Sequence, residues 1–322
     1  MPAPRDRTAL IKAARMYFLD GRSQDDVARA LGTSRSNVSR MLSAARAQGI
    51  VEIRVHDQTA RAVELEQALR DRFGLAHVQV AAFRPGADVA AGAGELAARW
   101  LDDSLRDGLV LGLSWGTSLQ AMVDAFAVDQ PRSVEVVPLV GGLSTAESLV
   151  SAQELVRELA GRLGATYRYL HAPALLRSEA ARDALLAEPA VSDVLERARA
   201  ADIAMVGVGS VGFGSSKEMI EALGLSPAER RAFLGAGPVG DTCCRFFDAE
   251  GRTVGGVAHD RVLAIELDEL RRIPTVIGVA TGLEKVPGVL GALRGGIIDG
   301  LITDASLALA LITATDPGHA AA

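Results

Sequence analysis

The chain contains 322 residues, of which 49% are hydrophobic, 23% charged and 4% aromatic. This composition excludes a disordered or collagen-like chain, and the length corresponds to about two domains. No apolar stretch approaches the roughly 20 residues of a membrane helix, and the N-terminus lacks a secretory-signal pattern. Because the two cysteines, Cys243 and Cys244, are adjacent, they indicate neither a disulfide framework nor a zinc site. We therefore expect a reduced, cytoplasmic protein with no membrane partner.

The formal net charge of −6 is unevenly distributed along the chain. Residues 1–56 carry ten basic and five acidic side chains, a net charge of +5. The remaining residues carry 24 basic and 35 acidic side chains, a net charge of −11. A basic head on an acidic body predicts a small polyanion-binding module joined to a domain with a different role.

The basic head has the pattern of three helices. Residues 10–19 have apolar side chains at helical spacing, and Asp20-Gly21 ends that helix. Ser23 and Asp26 form a capping box for a second helix, which Gly32 ends after about two turns. A third helix is predicted from Ser34 to about residue 47. Two short helices around a glycine turn indicate a helix-turn-helix unit.

The third predicted helix begins with side chains that suit DNA. Arginine pairs bidentately with guanine and asparagine with adenine, while serine hydroxyls fit phosphate oxygens. The alternative is a solvated polar face on a small helical bundle. The order of capped helix, glycine turn and polar helix on a basic head favours DNA binding. The candidate DNA-binding residues are Ser23, Gln24, Ser34, Arg35, Ser36, Asn37, Ser39 and Arg40.

Residues 50–55 alternate strictly between apolar and polar side chains, which predicts a short strand and a winged variant of the unit. An amphipathic helix follows over residues 59–73. Because helix-turn-helix proteins usually bind paired half-sites, we interpret it as a dimer-forming linker, the alternative being that it packs on the next domain. The predicted domains are a helix-turn-helix domain (1–56), a linker helix (57–75), an α/β domain (76–315) and a disordered tail (316–322).

From residue 77 onward, short strand patterns alternate with helix patterns. This alternation predicts a largely parallel, doubly wound sheet whose ligand binds at the carboxyl ends of the strands. The predicted strands are 78–80, 109–113, 134–139, 203–208, 245–247, 276–279 and 300–303, and the predicted helices are 89–106, 116–126, 147–163, 284–294 and 304–313.

Several predicted strand ends carry glycine and polar residues, the strongest being the segment 114–118 at a helix start. Backbone amides and three hydroxyls there form an anion cradle. Each strand end alone is a weak signal, but together they supply a cradle, one lysine and two carboxylates, which suits a small phosphorylated polyol. The candidate effector-binding residues are Ser114, Trp115, Gly116, Thr117, Ser118, Gly141, Gly209, Lys217, Asp241, Glu284 and Lys285.

Three further residues have open interpretations. His171 either lines the mouth of the same site or packs inside the protein. Cys243 and Cys244 are expected to alternate across a strand, with one of them in the core. We predict no catalytic residue, no metal site and no cofactor.

Motifs along nearly the whole chain resemble those of a known family. They lie at residues 17–21, 27–32, 38–42 and 45–51 in the head, and at 114–117, 201–210, 239–241, 246–248, 251, 284–285, 292–299 and 301–304 in the body. On these residues the chain resembles the SorC/DeoR-type sugar-binding transcriptional regulators, and the block from 292 onward is the most specific.

The resemblance implies an effector domain similar to sugar-phosphate isomerases and deaminases that has lost catalysis and senses a ligand. It implies that the loop 115–117 takes the phosphate, that Lys285 assists and that Asp241 meets sugar hydroxyls. It also implies dimers or tetramers, and the family includes both repressors and activators. In one departure, Val140 offers no basic side chain before Gly141, which speaks against a bisphosphate effector.

The leading hypothesis is a regulator of carbohydrate catabolism genes that binds double-stranded operator DNA and senses a sugar, sugar phosphate or phosphorylated polyol. The first alternative is a sugar-phosphate isomerase or deaminase with a DNA-binding head. The second is a regulator that senses a protein partner in place of a metabolite.

Overall fold

The computed structural model describes residues 7–51, 61–82, 88–127, 131–143 and 151–315. The chain divides into two compact units, residues 1–59 and residues 60–322. Within the described ranges no helix is both long and apolar enough to cross a membrane. The predicted tail 316–322 lies outside the described residues.

The first unit contains three helices, α1 (Arg7–Ala14), α2 (Gln24–Ala30) and α3 (Arg35–Ala47), and α1 continues into a π-helical turn over Arg15–Leu19. Glycines in the left-handed region follow the π-helical turn and α2, at Gly21 and Gly32, because a left-handed residue reverses the chain most easily without a Cβ. The apolar stripes of the helices meet in one small core of Leu10, Ala13, Ala14, Val27, Ala28, Val38, Met41, Leu42 and Ala45.

Two residues of the predicted wing strand, Ile50 and Val51, lie within the described residues. Ile50 and Val51 are half-buried against the core of the first unit, and neither belongs to a strand. Residues 52–55, which complete the predicted strand, lie outside the described residues. The winged form of the unit therefore stays a prediction.

The second unit begins with α4 (Val63–Phe73), the described part of the predicted linker helix. Its apolar face is covered within the same unit, because Leu69 is fully buried and Leu65 and Phe73 pack against the α/β core. Glu66 on the same face is buried, accepts hydrogen bonds from Arg61 Nε (2.8 Å) and from the backbone N–H of Val80 (3.0 Å), and so fixes α4 to the first strand.

Ten strands follow in the described residues. They are β1 (His77–Ala81), β2 (Val110–Leu113), β3 (Glu135–Pro138), β4 (Thr166–Tyr167), β5 (Ile203–Gly207), β6 (Gly209–Ser210), β7 (Gly240–Thr242), β8 (Arg245–Phe247), β9 (Thr275–Val279) and β10 (Gly300–Asp304). Seven of them form one all-parallel sheet in the order β1-β10-β9-β5-β2-β3-β4. This confirms the predicted parallel α/β architecture.

Helices lie between the strands, and the last helix follows β10. They are α5 (Val89–Ser104), α6 (Thr117–Ala125), α7 (Ala152–Leu163), α8 (Glu179–Leu186), α9 (Pro189–Arg199), α10 (Gly214–Ala222), α11 (Pro227–Gly235), α12 (Val257–Asp260), α13 (Leu267–Leu270), α14 (Val286–Arg294) and α15 (Ala305–Ala314). The central strands β2 and β10 are buried along their whole length, as expected for a parallel sheet covered on both faces.

The strand order reverses between the neighbouring strands β2 and β5. From β2 the chain moves outward to β3 and β4, whereas from β5 it moves the opposite way to β9 and β10. The connections that leave the two strands therefore diverge, because right-handed crossovers in opposite directions lie on opposite faces of a sheet. This divergence opens a crevice at the carboxyl ends of β2 and β5.

The strand predicted at residues 245–247 exists, but it does not belong to the parallel sheet. It is β8 of a separate antiparallel sheet with the order β6-β7-β8. Its Arg245 side chain is almost completely buried and donates hydrogen bonds to the carbonyls of His259 (2.9 Å) and Ala264 (3.1 Å). The guanidinium also pairs with Glu266 at 2.6 Å, so the small sheet is tied to the segment 259–266.

The expectation that Cys243 and Cys244 alternate across a strand is wrong. They form the two-residue turn between β7 and β8, with φ angles of +49° and +62°, and both are buried. Tight two-residue hairpin turns favour left-handed residues because their twist matches that of the strands. Two cysteines give no turn signal in a sequence, which is why the turn was not predicted.

Candidate functional site

A cleft lies at the carboxyl ends of β2, β5 and β9, where the strand order reverses. The fold brings eight of the predicted effector-binding residues together there, although they come from four separate parts of the chain: Ser114, Trp115, Gly116, Thr117, Ser118, Gly209, Asp241 and Lys285.

The segment 114–118 joins β2 to α6 and forms one wall of the cleft. Gly116 is the N-cap residue of α6 with φ +129°, and no side chain caps the helix. The first amides of α6 are therefore open to an external acceptor, and Thr117 and Ser118 add hydroxyls beside them. Gly207 on β5 permits this arrangement, because a Cβ there would lie 2.8 Å from the carbonyl oxygen of Trp115.

Ser114 lies deepest in this wall. It is 1% exposed, and among the described residues its hydroxyl has no hydrogen-bond partner apart from the neighbouring Cys243 thiol. Burial raises the pKa of Cys243 to about 11, so the thiol is protonated at neutral pH and is a weak partner. Because a buried hydroxyl without a strong hydrogen-bond partner is costly, the position of Ser114 favours a polar ligand atom beside it.

Asp241 on β7 is the carboxylate among the described residues that line the cleft. Ser216 Oγ donates a 2.5 Å hydrogen bond to it. Burial raises the pKa of Asp241, while the Ser216 hydroxyl and the Lys285 ammonium act in the opposite direction. Gly209 makes room for this pair, since a Cβ there would lie 2.1 Å from Ser216 Oγ and 2.2 Å from Asp241 Oδ1.

Lys285 lies in a 3-10 turn (Leu283–Lys285) that follows β9 and leads into α14. Asp304, the N-cap residue of α15, holds this turn by accepting a 2.9 Å hydrogen bond from the backbone N–H of Gly282. It also accepts from the amides of Ser306 and Leu307. The side chain of Asp304 is buried, so the position of the lysine turn is fixed by the neighbouring strand end.

Three predicted effector residues are not part of the cleft. Gly141 packs against the backbone of residues 172–174, where a Cβ would lie 2.7 Å from Ala174 N. Lys217 is exposed on α10, and the exposed Glu284 folds its carboxylate over Gly282. His171 neither lines the cleft nor packs inside the protein, since it is exposed and lies 5.6 Å from the ring of Tyr169.

Ser215, Ser216 and Cys243 line the cleft but were not predicted. The two serines lie in the first turn of α10, which, like α6, begins without a side-chain cap. Two hydroxyls directly after Gly214 at a helix start were a signal equal in kind to that of residues 116–118. Cys243 gave no comparable signal, because its position depends on the hairpin turn.

The first unit presents a polar face on α3. Arg35, Ser36, Ser39 and Arg40 are exposed on it, while Val38 is buried on the opposite side. The helix contains arginines but no acidic residue. Arg40 donates a 3.3 Å hydrogen bond to Ser36 Oγ, which orders its guanidinium along the face.

The other predicted DNA-binding residues have structural contacts of their own. Ser23 caps α2 in the predicted capping box, and Ser34 caps α3 by accepting from the amide of Asn37. The Asn37 side chain donates a 2.8 Å hydrogen bond to Thr33 Oγ1 and is half-exposed, as is Gln24 at the start of α2. Ser34 and Asn37 lie in the same turn of α3 as Arg35.

Comparisons with known proteins identify the family of the chain. The family model of a sugar-binding domain, Sugar-bind, matches residues 57–313. The chain is 32% identical over 305 residues to the deoxyribonucleoside regulator of Bacillus subtilis (strain 168), covering 94% of this chain and 96% of that relative. It is 31% identical over 305 residues to the transcriptional regulator LsrR of Enterobacter sp. (strain 638), covering 94% and 91%.

A solved structure of a transcriptional regulator also matches the chain. The crystal structure of the full-length sorbitol operon regulator SorC from Klebsiella pneumoniae matches with a TM-score of 0.72 and 31% identity, over 95% of this chain and 98% of that chain. The family model, the relatives and the SorC crystal structure together show that the chain belongs to the SorC/DeoR-type family of sugar-sensing transcriptional regulators.

Proposed function

We propose that this regulator binds operator DNA through the exposed face of α3 and senses one phosphorylated carbohydrate in the cleft at the carboxyl ends of β2 and β5. The observation that carries the proposal is the cleft itself. It combines open helix amides, hydroxyls and one lysine with a single buried carboxyl group, Asp241.

The donors of the cleft favour a phosphate. The amides and hydroxyls at residues 116–118 surround an anion, and the Lys285 ammonium adds a positive charge. Asp241 then accepts from sugar or polyol hydroxyls at the other side. A second phosphate is not expected, because Val140, two residues after β3, is apolar and fully buried.

The α3 face favours the DNA major groove. An exposed arginine face on a short capped helix gives both phosphate contacts and bidentate base contacts. A helix-turn-helix usually works in pairs, so we propose that the regulator binds DNA as a dimer or a tetramer. The names of its relatives, a sorbitol operon regulator and a deoxyribonucleoside regulator, support carbohydrate-related target genes.

The two sites are coupled by linkage. An effector changes DNA binding only if it binds one state of the protein more tightly than the other, and the change in affinity is reciprocal. The same coupling serves a repressor that is released or an activator that is recruited.

Thermal unfolding against matched pairs of free and phosphorylated sugars and polyols tests the effector class. A ligand at 100 times its Kd stabilises the native state by about 2.7 kcal/mol. We expect a rise in Tm with a phosphorylated compound and none with its free counterpart. An equal rise with the free sugar would contradict the phosphate cradle.

The two alternatives predict other outcomes. An isomerase or deaminase would convert a phosphorylated sugar, which a product assay with the purified protein detects. A sensor of a protein partner would show no Tm shift with any small molecule of the panel.

A further inference from the structure

The carboxylate of Asp304 joins two elements of the effector unit. One of its oxygens, Oδ2, accepts a 2.9 Å hydrogen bond from the backbone N–H of Gly282, where the turn that carries Lys285 begins. The other oxygen, Oδ1, accepts from the amides of Ser306 (2.8 Å) and Leu307 (3.1 Å) in the first turn of α15. Each oxygen therefore holds a different element, and one side chain links the lysine turn to α15.

The surroundings of Asp304 are rigid. The residue is only 5% exposed, and it ends β10, a strand that is buried along its whole length. Close-packed interiors deform little, so they change between discrete arrangements in which neighbouring elements move together. A displacement of the lysine turn is therefore passed to α15 through the shared carboxylate.

Lys285 is the end of this link that meets the ligand. It lines the cleft together with Val279, the last residue of β9. The backbone N–H of Lys285 donates a 3.1 Å hydrogen bond to the carbonyl of Gly282, so the lysine and the glycine that Asp304 holds belong to one closed turn. A phosphate paired with the Lys285 ammonium then favours one position of the whole turn.

The other end of the link is α4, the first described helix after the DNA-binding unit in the chain. It packs on α15, and Leu69 of α4 lies in the same core as Leu307 and Leu311 of α15, all three fully buried. At the carboxyl end of α15, Thr315 Oγ1 accepts a 3.0 Å hydrogen bond from Arg72 Nε of α4. A movement of α15 therefore reaches α4.

We propose that Asp304 is a positioning residue that couples the effector cleft to α4, and through α4 to the DNA-binding unit. The inference rests on the proposed function and names the route of its linkage. The bound phosphorylated carbohydrate selects one position of the lysine turn, Asp304 passes that position to α15, and α15 passes it to α4. Asp304 is not among the described residues that line the cleft, so its role is to transmit binding and not to bind.

Asparagine at position 304 separates the two bonds. Asparagine caps helices about as well as aspartate does, and its carbonyl oxygen can accept from the amides of Ser306 and Leu307. Its NH₂ group is only a donor and cannot accept from the N–H of Gly282. Asp304→Asn therefore keeps the cap of α15 and removes the link to the lysine turn. Asp304→Ser is a second variant of the same kind, because its short hydroxyl caps the helix and cannot hold both elements.

The matched control is Asp88→Asn. Asp88 is the N-cap residue of α5, and its Oδ1 accepts from the amides of Ala90 and Ala91, as that of Asp304 does in α15. The described lining of the cleft contains no residue of α5. This variant therefore reproduces the change at a helix cap without touching the link.

The first test measures the affinity of the full-length protein for a duplex that it selects from a random library. The measurement is made with and without a saturating pentose 5-phosphate or hexose 6-phosphate. We expect the sugar phosphate that binds to change DNA affinity by about 5- to 150-fold in the wild-type protein and in Asp88→Asn. In both Asp304 variants the change should fall below about twofold. Their affinities for the sugar phosphate alone and for DNA alone should change by much less than the lost factor.

Amide hydrogen exchange provides a second test that needs no DNA. The probe is inorganic phosphate, which occupies only the phosphate part of the cleft. We expect it to slow exchange at residues 116–118 and in α4 of the wild-type protein. In Asp304→Asn the slowing should remain at residues 116–118 and disappear from α4. A structural cap that plays no part in coupling would not separate the two regions in this way.

Three results would overturn the inference. Coupling of wild-type strength in both Asp304 variants would assign the transmission to other residues, while the ligand site and the proposed function would stand. An equal loss of coupling in Asp88→Asn, or a loss of sugar-phosphate binding as large as the loss of coupling, would reduce Asp304 to a structural cap. If the wild-type protein binds neither sugar phosphate, the proposed effector class itself fails, and the inference fails with it.

Discussion

The α3 face and the cleft both suit phosphate groups, yet they are built in opposite ways. On α3 the charged side chains are long and exposed. Arg35 forms a weak surface ion pair with Asp25, at 3.9 Å. In the cleft the deepest polar groups, those of Ser114, Ser216 and Asp241, are short and buried, and backbone geometry positions them. The exposed face suits a large polyanion and a salt-dependent contact, whereas the buried site suits one small ligand of defined shape.

The largest expected effect is a loss of DNA affinity when the α3 face is altered. The double substitution Arg35→Ala and Arg40→Ala removes two exposed guanidinium groups from the proposed DNA-binding face, and we expect DNA affinity to fall by roughly 100-fold or more. Fluorescence anisotropy with a duplex selected by the protein from a random library measures this. The salt dependence of binding should become shallower.

The control for this pair is Arg252→Ala, which removes an arginine that is 72% exposed on the α/β unit. The DNA affinity of the Arg252→Ala variant should equal that of the wild-type protein. Loss of effector binding in the α3 variant, equal to its loss of DNA binding, would contradict the separation of the two sites.

Substitution of Lys285 probes the cleft side of the comparison. Lys285→Ala removes the cation beside the amide cradle, and we expect affinity for a phosphorylated effector to fall by about 10- to 100-fold, the value of a hydrogen bond to a charged group. DNA binding in the absence of effector should be unchanged. Lys217→Ala is the matched control, since that lysine is exposed outside the lining of the cleft. An equal loss in both variants would remove Lys285 from the site.

Close packing around Gly209 predicts a moderate loss of folding stability when this glycine is replaced. Gly209→Ala forces a methyl group against the Ser216–Asp241 hydrogen bond, and we expect the free energy of unfolding to fall by about 1–3 kcal/mol. Gly161→Ala on α7, where a Cβ meets nothing, should stabilise by about 0.5–1 kcal/mol. Chemical denaturation of both variants checks this, and a neutral Gly209→Ala would show that the pair is not tightly packed.

The smallest effect is a pH dependence at Asp241. Burial raises its pKa in the folded chain above that in the unfolded chain, so the unligated protein loses stability as pH rises from the ordinary aspartate pKa through the raised one. Asp241→Asn removes this titration. We expect its Tm advantage over the wild-type protein to grow with pH by a few degrees, at about 2–4 °C per kcal/mol. An advantage that shrinks with rising pH would contradict the assignment.

Local patterns predicted the frame of the molecule well. The capping box at Ser23, the buried face of α3 and the parallel strands of the large sheet all depend on short-range periodicity and on glycine positions, which a sequence displays directly. The helix start at residues 114–118 was predicted for the same reason, because a strand end, a glycine and a helix start are contiguous.

Long-range packing decided the rest. Gly141 follows a strand, as the segment 114–118 does, but it packs against the backbone of residues 172–174 and is therefore not part of the cleft. No local sequence pattern encodes this contact. Cys243 enters the cleft through a hairpin turn without a turn-forming residue, and Asp304 fixes the lysine turn from a neighbouring strand. These positions depend on which distant segments meet.

The central claim is that one ligand site controls one DNA site. The most direct measurement is the affinity of the full-length protein for its selected duplex, with and without a saturating phosphorylated sugar, together with the affinity for that sugar with and without DNA. Linkage requires the two ratios to be equal and different from one. We predict a change of about 5- to 150-fold in both. An unchanged DNA affinity in the presence of a ligand that fills the cleft would contradict the account.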